Sequence, residues 1–350
     1  MKAARLNKPG DPLIVEDVPE PELLPGGIKV RVERAAVPSF AASVLSGQLP
    51  MPLPVPYTPG PSSVGIVEAV SDDVIGITPG QRVFCSPHYK TAINGTGTEE
   101  ILIGWLGLTP GSGPLISRWR NGAFAEKAVY PAACVTPTGE GGDPDDWIAL
   151  APLAIAYGGL FRCELRAGGT LLVNGATGNL GAASVLVALA LGMERVYAVG
   201  RNEAVLERLR ALDPRRVIPV TVDDDESYAA RVAASAGPVD ALLDALGYVT
   251  SPIPPSAGIP LVKPGGTVVF MGGAFAEVPI SYFQMLAKSL TIRGSFMHPS
   301  DAPATLAAMI RGGVLDVKKM SLKSIPLGRA NDALTEAPKQ RGLNYCCIAP

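Results

Sequence analysis

A short glycine-rich run carries the strongest chemical signal in the sequence. It reads Asn174-Gly175-Ala176-Thr177-Gly178-Asn179-Leu180-Gly181. Gly175 and Gly178 permit a tight turn and a close approach of the backbone to a pyrophosphate, and Gly181 permits close packing of a helix on a strand. The free N–H groups and the positive dipole end of the following helix favour a phosphate. The whole run is therefore predicted to bind a dinucleotide, and the alternative is a purely structural turn.

A second group of candidate residues ends the second predicted strand, where Gly200, Arg201 and Asn202 follow one another. A carboxylate at this position would accept hydrogen bonds from a ribose 2′-hydroxyl, whereas an arginine pairs with a 2′-phosphate. No carboxylate is present there, Gly200 leaves room, and Arg201 supplies a positive charge. These residues predict NADP(H) rather than NAD(H) as the cofactor. The alternative is that Arg201 is a solvated residue at the start of a helix.

A pair of glycines, Gly272 and Gly273, ends the fifth predicted strand and is followed closely by Phe275. Glycines at the carboxyl edge of a parallel sheet let a nicotinamide carboxamide approach the backbone. We predict that the two glycines and Phe275 contact the cofactor, as does Leu246 after the fourth strand. The alternative for the glycine pair is an ordinary turn at the end of a strand.

These residues need a framework of alternating strands and helices, and the sequence from about residue 168 onward supplies one. Predicted strands cover 170–174, 195–199, 217–220, 240–243, 267–271 and 291–294, and predicted helices cover 180–191, 203–212, 227–236, 280–288 and 302–311. Aliphatic strands that alternate with helices indicate a parallel sheet covered on both faces. Six such strands predict a doubly wound α/β fold of the Rossmann type.

The sequence before about residue 150 has a different texture, with short β-rich segments separated by glycine and proline. Residues 28–32 alternate between apolar and polar side chains, as expected of a half-buried strand. Strands at this spacing predict a small barrel or sandwich. The repeated prolines of 49–61 predict an extended loop there.

The change of texture predicts two domains. A β-rich domain covers 1–150, and a nucleotide-binding domain covers 151–300. The tail, 301–350, is predicted to return in part to the first domain, through segments at 324–327 and 345–348.

Composition excludes several classes of function. Lys and Arg total 30 against 32 Asp and Glu, so the chain lacks the basic face that a nucleic-acid partner requires. Its longest apolar run, near 182–191, is too short to cross a membrane. The five cysteines are odd in number and scattered, which favours a reducing compartment. The sequence therefore predicts a cytoplasmic protein with a small-molecule substrate and no nucleic-acid or membrane partner.

Several further motifs extend over the whole chain. They are Glu16-Asp17-Val18-Pro19-Glu20-Pro21, Leu45-Ser46-Gly47, Pro59-Gly60-Pro61-Ser62-Ser63-Val64-Gly65, Pro79-Gly80-Gln81-Arg82-Val83, Gly122-Ala123-Phe124-Ala125-Glu126 and Lys263-Pro264-Gly265-Gly266. Together with the nucleotide run, they resemble the medium-chain dehydrogenase/reductase superfamily, and within it the zinc-independent quinone-oxidoreductase-like branch. The resemblance implies a GroES-like catalytic domain, a Rossmann domain inserted before a short return segment, and a homodimer formed through the nucleotide domains.

The positions that bind zinc in other members of that superfamily carry different residues here. Pro38 stands where those members have a cysteine, Gly60-Pro61-Ser62 replaces their Gly-His-Glu, and 151–153 contains no Cys or His. Catalytic zinc needs about three N, S or O ligands. The sequence therefore predicts no zinc. Because an alcohol without a Lewis acid is a poor hydride donor, a conjugated carbonyl such as a quinone, an enone or an enoyl thioester is the predicted substrate.

A hydrogen-bond donor to the carbonyl oxygen would assist hydride addition to such a substrate. The candidates are Ser39, Tyr57 and Tyr157, and loop hydrogen bonding is the alternative for the first two. The family's frequent Asn and Asp in the segment corresponding to 38–41 are absent. Two alternatives to a general NADPH-dependent reductase therefore stay open: a trans-acting enoyl reductase of a biosynthetic pathway, and an NADPH-binding protein without catalysis.

Two histidines and one long insertion complete the candidates. His298 could act as a proton donor, but a position on the surface is the favoured interpretation for both His298 and His88. The segment 90–120, which contains Gly95, Gly97, Trp105 and Trp119, is unusually long for the family. It could form a lid or a substrate-binding wall, or else an oligomer contact or plain surface loop.

Overall fold

The computed structural model describes residues 1–48, 52–91, 98–139, 141–223 and 225–350. Up to residue 149 its strands and helices are β1 (Lys2–Arg5), β2 (Ile14–Asp17), β3 (Gly27–Val37), α1 (Ala41–Leu45), β4 (Ser63–Val70), β5 (Arg82–Cys85), β6 (His88–Lys90), β7 (Glu100–Leu102), β8 (Leu106–Gly107), α2 (Gly113–Trp119), β9 (Lys127–Pro131), β10 (Val135–Pro137) and α3 (Pro144–Trp147).

From residue 150 to 294 strands and helices alternate. They are α4 (Leu150–Arg162), β11 (Thr170–Asn174), α5 (Asn179–Ala190), β12 (Arg195–Gly200), α6 (Glu203–Arg210), β13 (Val217–Thr221), α7 (Asp225–Ser235), β14 (Val239–Asp244), α8 (Ile253–Ser256), β15 (Val262–Phe270), α9 (Tyr282–Lys288) and β16 (Thr291–Gly294). The last elements are α10 (Ala302–Arg311), β17 (Ser321–Pro326), α11 (Ala330–Glu336) and β18 (Asn344–Ala349).

The larger sheet is built around the long strand β3. Its order is β10-β5-β4-β3-β18-β17, and β9 also pairs with β3. Ile28, Val30 and Val32 of β3 are buried, and the predicted alternation is thus present. Register shifts in the pairing of β3 with β4 bend the strand and let one part of it pair with β9 and another with β18.

The C-terminal strand β18 joins this sheet although most of the chain separates it from β3. The two strands are antiparallel, with Cys346 opposite Val37 and Ile348 opposite Ala35. β17 lies parallel to β18 on the outer side. The predicted return segments at 324–327 and 345–348 fall within or at the end of these two strands.

The second sheet has the order β13-β12-β11-β14-β15-β16, and all its strands are parallel. This is the doubly wound order, and its switch point lies between β11 and β14. Leu171 and Val173 of β11 pack into the core that contains α4 and α5, and Leu172 packs into the core on the other face. Burial on both faces explains why these strands are continuously apolar.

One strand begins earlier than the sequence predicts. β15 starts at Val262, opposite Val239, but its regular pairing with β14 resumes only at Thr267. Lys263-Pro264-Gly265-Gly266 bulges between these pairs, and Gly265 has a φ of +77°. Proline and glycine in this stretch indicate a turn in the sequence, whereas in the structure they form a bulge within the strand.

The insertion at 90–120 contains structure of its own. β6, β7 and β8 form a three-stranded sheet, and α2 follows it. Trp105 and Trp119 are buried. Gly95 and Gly97 lie outside the described residues, as do the first residues of the proline-rich loop, 49–51. Among the described residues, no helix combines the length and apolar character needed to span a bilayer.

Candidate functional site

The predicted nucleotide loop connects β11 to α5 at the switch point of the parallel sheet. Gly175 has a φ of +76°, and a Cβ on it would lie 2.9 Å from the backbone of Ala245 and of Leu246. A Cβ on Gly181 would lie 2.3 Å from the Gly175 carbonyl oxygen. Gly178 precedes α5 without a side-chain cap, so the helix start is open to a phosphate. The backbone therefore requires glycine at 175 and 181.

Asn174 and Asp244 end the two central strands and bond to each other. The Asn174 amide donates to Asp244 Oδ1 and to the Pro254 carbonyl, both at 2.8 Å, and the Tyr228 hydroxyl donates to Asn174 Oδ1. Burial raises the pKa of Asp244 to about 7, against the hydrogen bonds from Asn174 and the Leu246 N–H. The Asn174 side chain therefore positions the loop through its bonds to Asp244 and Pro254, and these bonds direct it away from a ligand.

The C-terminal segment holds the loop from the other side. The Gly342 N–H donates to the Thr177 carbonyl at 3.1 Å. The Asn179 amide donates to the carbonyls of Gly342 and Asn344 at 3.1 and 2.7 Å, and the Tyr345 hydroxyl donates to the Asn179 carbonyl at 2.8 Å. Sequence reasoning missed these contacts, because nothing in the local pattern of 341–345 indicates a nucleotide loop as its neighbour.

The end of β12 lies directly against the loop. A Cβ on Gly200 would be 2.4 Å from the Thr177 side chain, so that side chain would have to move to admit any other residue. Asn202 caps α6, because its Oδ1 accepts the Val205 N–H at 3.1 Å. Arg201 is exposed and, within the described part of the chain, makes no hydrogen bond or ion pair. An open cleft of about 560 Å³ here is lined by Thr177, Arg201, Asn202, Glu203, Thr221, Asp223 and Arg341.

The residues that are predicted to contact the nicotinamide lie together at the carboxyl ends of β14 and β15. The Gly273 N–H donates to the Leu246 carbonyl at 2.8 Å, and a Cβ on Gly272 would be 2.2 Å from that same oxygen. The Phe275 ring is exposed, with its centroid 5.5 Å from that of Tyr248. Leu246 thus touches both the nucleotide loop and the glycine pair.

The three candidate hydrogen-bond donors occupy different environments. Tyr157 is a half-buried residue of α4 whose ring stacks on Phe161. Ser39 is half-buried in the turn after β3, beside the exposed Phe40. Tyr57 has no exposed surface, its hydroxyl has no hydrogen-bond partner among the described residues, and burial raises its pKa above the ordinary range. Hydrogen bonding to the described part of the loop therefore does not account for the Tyr57 hydroxyl.

The two histidines are half-buried and hydrogen-bonded, and His88 lies in β6, which corrects the favoured interpretation of solvated surface residues. The His298 Nδ1 donates to the Pro299 carbonyl at 2.8 Å, so its Nε2 is the acceptor for the Ser86 hydroxyl at 3.1 Å. His88 Nε2 lies 3.2 Å from a Glu100 carboxylate oxygen. Burial lowers the pKa of both imidazoles. Sequence offered no signal for these pairs, since a partner such as Ser86 lies far away in the chain.

Comparison with known proteins supports the same division of the chain. A model described as an alcohol dehydrogenase GroES-like domain matches residues 24–140, and one described as a zinc-binding dehydrogenase matches residues 180–311. An alcohol dehydrogenase of Moraxella sp. is 27% identical over 341 residues, covering 95% of this chain and 94% of that protein. The chain belongs to the medium-chain dehydrogenase/reductase superfamily. The predicted family and fold class, a GroES-like domain with a Rossmann-type domain, are confirmed.

Other superfamily members are similar along the whole chain. A mouse quinone oxidoreductase is 25% identical over 342 residues, covering 95% of this chain and 92% of that protein. A putative zinc-binding dehydrogenase from Sinorhizobium meliloti, whose structure was solved with NADP bound, is 25% identical with a TM-score of 0.79. It covers 100% of this chain, which covers 99% of it.

The superfamily's zinc site lacks its usual ligands in this chain. Pro38, Pro61 and Leu153 offer no ligand atom, and of the residues at those positions only Ser62 has a side-chain oxygen. Among the residues that the structure describes, no three His, Cys, Asp or Glu side chains come together in a way that could hold a metal ion. The donor set at these positions therefore does not fit catalytic zinc.

Proposed function

We propose that this oxidoreductase is an NADPH-dependent reductase of conjugated carbonyl compounds that works without zinc. The observation that carries the proposal is Arg201 at the end of β12, where an NAD-binding site would hold a carboxylate; its guanidinium pairs with none of the described residues. The Sinorhizobium relative solved with NADP and the mouse relative named as a quinone oxidoreductase support it.

The chain's own residues bind and orient the reactants. The loop at 174–181 and the start of α5 bind the pyrophosphate, and Leu246, Gly272 and Gly273 present backbone to the nicotinamide. When bound, NADPH supplies the hydride. Tyr157 or Ser39 donates a hydrogen bond to the substrate carbonyl oxygen, where one preorganised donor is worth roughly 3–4 kcal/mol.

Substrate class follows from the donor set at the superfamily's metal position. Without zinc ligands, nothing at Pro38, Pro61 or Leu153 lowers the pKa of an alcohol hydroxyl. A quinone, enone or enoyl thioester stabilises the added charge through its own conjugation. We therefore place such acceptors ahead of unactivated alcohols.

The test is oxidation of NADPH with a panel of quinones, enones and enoyl thioesters, alongside NADP⁺ with simple alcohols. The proposal expects turnover with one of the conjugated classes, unaffected by a chelator, in protein that contains no stoichiometric zinc. A preference confined to thioesters favours the enoyl reductase. NADPH binding without turnover on any panel member favours a non-catalytic role, and zinc-dependent alcohol oxidation rejects the proposal.

The proposal also covers the two domains of the chain, its assembly and its location. We assign 1–150 and part of 301–350 to the catalytic domain and 151–300 to the nucleotide domain, since α4 packs into the core of the parallel sheet. A homodimer is supported by α9, which exposes Tyr282, Phe283 and Leu286 beside the edge strand β16. The five cysteines are buried free thiols, which supports a cytoplasmic location for the protein.

A further inference from the structure

Arg341 is brought to the nucleotide site by the C-terminal segment. Its neighbour Gly342 donates to the Thr177 carbonyl, and the Asn179 amide donates back to the Gly342 carbonyl. These two bonds fix the backbone of the segment on the nucleotide loop. The Arg341 side chain consequently lines the same open cleft as Arg201, although 140 positions separate the two.

Among the described residues, the charges around this cleft do not balance. Neither the Arg201 nor the Arg341 guanidinium makes a hydrogen bond or ion pair with any of those residues. Of the two acidic residues on the lining, Asp223 is paired with Arg231. Glu203 lies in the first turn of α6, where the helix dipole favours a carboxylate. Two guanidinium groups on one cleft, without a partner among the described residues, therefore favour a bound anion.

A neighbouring arginine shows what a structural role looks like in the same region. Arg208 donates to the Asn344 side chain, to the Lys319 carbonyl at 3.3 Å and to the Ser321 hydroxyl at 3.0 Å. All these partners belong to the protein, so Arg208 anchors the C-terminal segment to α6. The Arg341 guanidinium has no such partners in the described part of the chain, so it is available to contact a ligand.

We propose that Arg341 and Arg201 together bind the 2′-phosphate of NADPH, so that Arg341 is a specificity-determining residue. The inference rests on the proposed NADPH dependence, and it adds a recognition group from outside the parallel sheet. Because Arg341 shortly precedes β18, which pairs with β3, the phosphate would link the end of β12 to the segment that completes the other sheet. A group on the pyrophosphate, by contrast, would serve NADH and NADPH alike.

The test uses three variants: Arg341→Gln, Arg201→Gln and the double variant that carries both changes. Arg215→Gln is the matched control. Arg215 is also exposed, but it precedes the amino end of β13, whereas Thr221 of the cleft is at the carboxyl end of that strand. Dissociation constants for NADPH and NADH are measured by titration calorimetry, independently of any turnover. Arg341→Gln is expected to raise the dissociation constant for NADPH by about 10- to 100-fold and that for NADH by less than about twofold. Arg341→Lys is expected to retain part of the affinity for NADPH.

Each alternative result overturns the inference in a recognisable way. Equal weakening of NADPH and NADH by Arg341→Gln would place the residue at the pyrophosphate or in a structural role. Unchanged NADPH affinity at an unchanged melting temperature would remove it from the site. If the wild-type protein itself binds NADH as tightly as NADPH, the proposed NADPH dependence fails together with the inference. Adenosine 2′,5′-bisphosphate against adenosine 5′-monophosphate repeats the comparison without the nicotinamide.

Discussion

Ser86 and His298 lie 212 positions apart in the chain, and the Ser86 hydroxyl donates to the His298 Nε2 at 3.1 Å. Ser86 follows β5 of the larger sheet, whereas His298 follows β16 of the parallel sheet. The same segment packs on α4, because a Cβ on Gly158 would lie 2.3 Å from the Met297 carbonyl oxygen. The bond therefore joins the two sheets next to the helix that carries Tyr157.

Removing the Ser86 hydroxyl should weaken this junction. Ser86→Ala leaves the Nε2 of the half-buried His298 without its Ser86 donor, so the free energy of unfolding should fall by about 1–3 kcal/mol. Ser46→Ala is the control, since that hydroxyl is exposed and donates only to the nearby Ser43 carbonyl. Its effect should stay within about 0.5 kcal/mol. Equal losses in urea unfolding of the two variants would contradict a special role for Ser86.

The parts of the fold that sequence predicts are those whose signal is local. The six parallel strands are predictable because the residues of each stand in one short, contiguous run, and the loop at 174–181 carries its own glycines. Contacts such as those of Ser86 with His298, or of Asn174 with Asp244, depend on topology instead. A polar residue gives no sequence sign of which distant residue it will contact, so the sequence alone favours a surface position for both histidines.

The adjacent glycines 272 and 273 should respond differently to the same substitution. Gly272→Ala would place a Cβ 2.2 Å from the Leu246 carbonyl oxygen, a backbone atom that cannot swing aside. We expect it to cost about 1–3 kcal/mol of stability. A Cβ on Gly273 meets no described atom within 4 Å, so Gly273→Ala should keep the wild-type melting temperature.

Cofactor binding then separates the structural role from the ligand role. If the nicotinamide lies against Gly273, the added methyl group of Gly273→Ala should raise the dissociation constant for NADPH by about 10-fold or more, while stability is unchanged. Thermal unfolding and a fluorescence titration with NADPH measure the two quantities on the same samples. A Gly273→Ala variant that binds NADPH as tightly as the wild type would move the nicotinamide away from this strand end.

Asp244 should make stability fall as pH rises. Its pKa is about 7 in the folded protein against an ordinary value of 3.8, because burial disfavours the charged form. The folded state therefore binds this proton between those pH values while the unfolded state does not, and stability is lost up to pH 7. From pH 5 to pH 8 the loss from this group is about 3 kcal/mol, at about 1.4 kcal/mol per pH unit below 7.

The substitution Asp244→Asn should remove that slope. The lowered pKa values of His88 and His298 act in the opposite direction, since their stabilisation is lost as pH falls below about 6.5. Both proteins share this contribution, so it cancels in the difference between them. Urea unfolding at pH 5 and pH 8 measures the slope. A variant that loses as much stability as the wild type between these values would show that Asp244 ionises normally.

The exposed face of α9 provides the prediction on assembly. Tyr282, Phe283 and Leu286 are 82%, 75% and 65% exposed, and no described strand covers the outer side of β16. In a two-fold dimer the same patch meets itself, so Phe283→Glu with Leu286→Glu would bring like charges together across the axis. Light scattering should give twice 36.3 kDa for the wild type and 36.3 kDa for this variant.

A matched apolar-to-acidic change elsewhere tests whether the effect belongs to α9. Ile75 is 95% exposed in the loop after β4, far along the chain from the parallel sheet. Ile75→Glu adds the same kind of charge outside the proposed interface, so it should leave the dimer intact. The wild type as a monomer, or the α9 variant as a dimer, would exclude this face. Because β16 pairs with β15, the strand that ends two residues before Gly272, NADPH titration of the separated protomers also shows whether dimerisation supports the cofactor site.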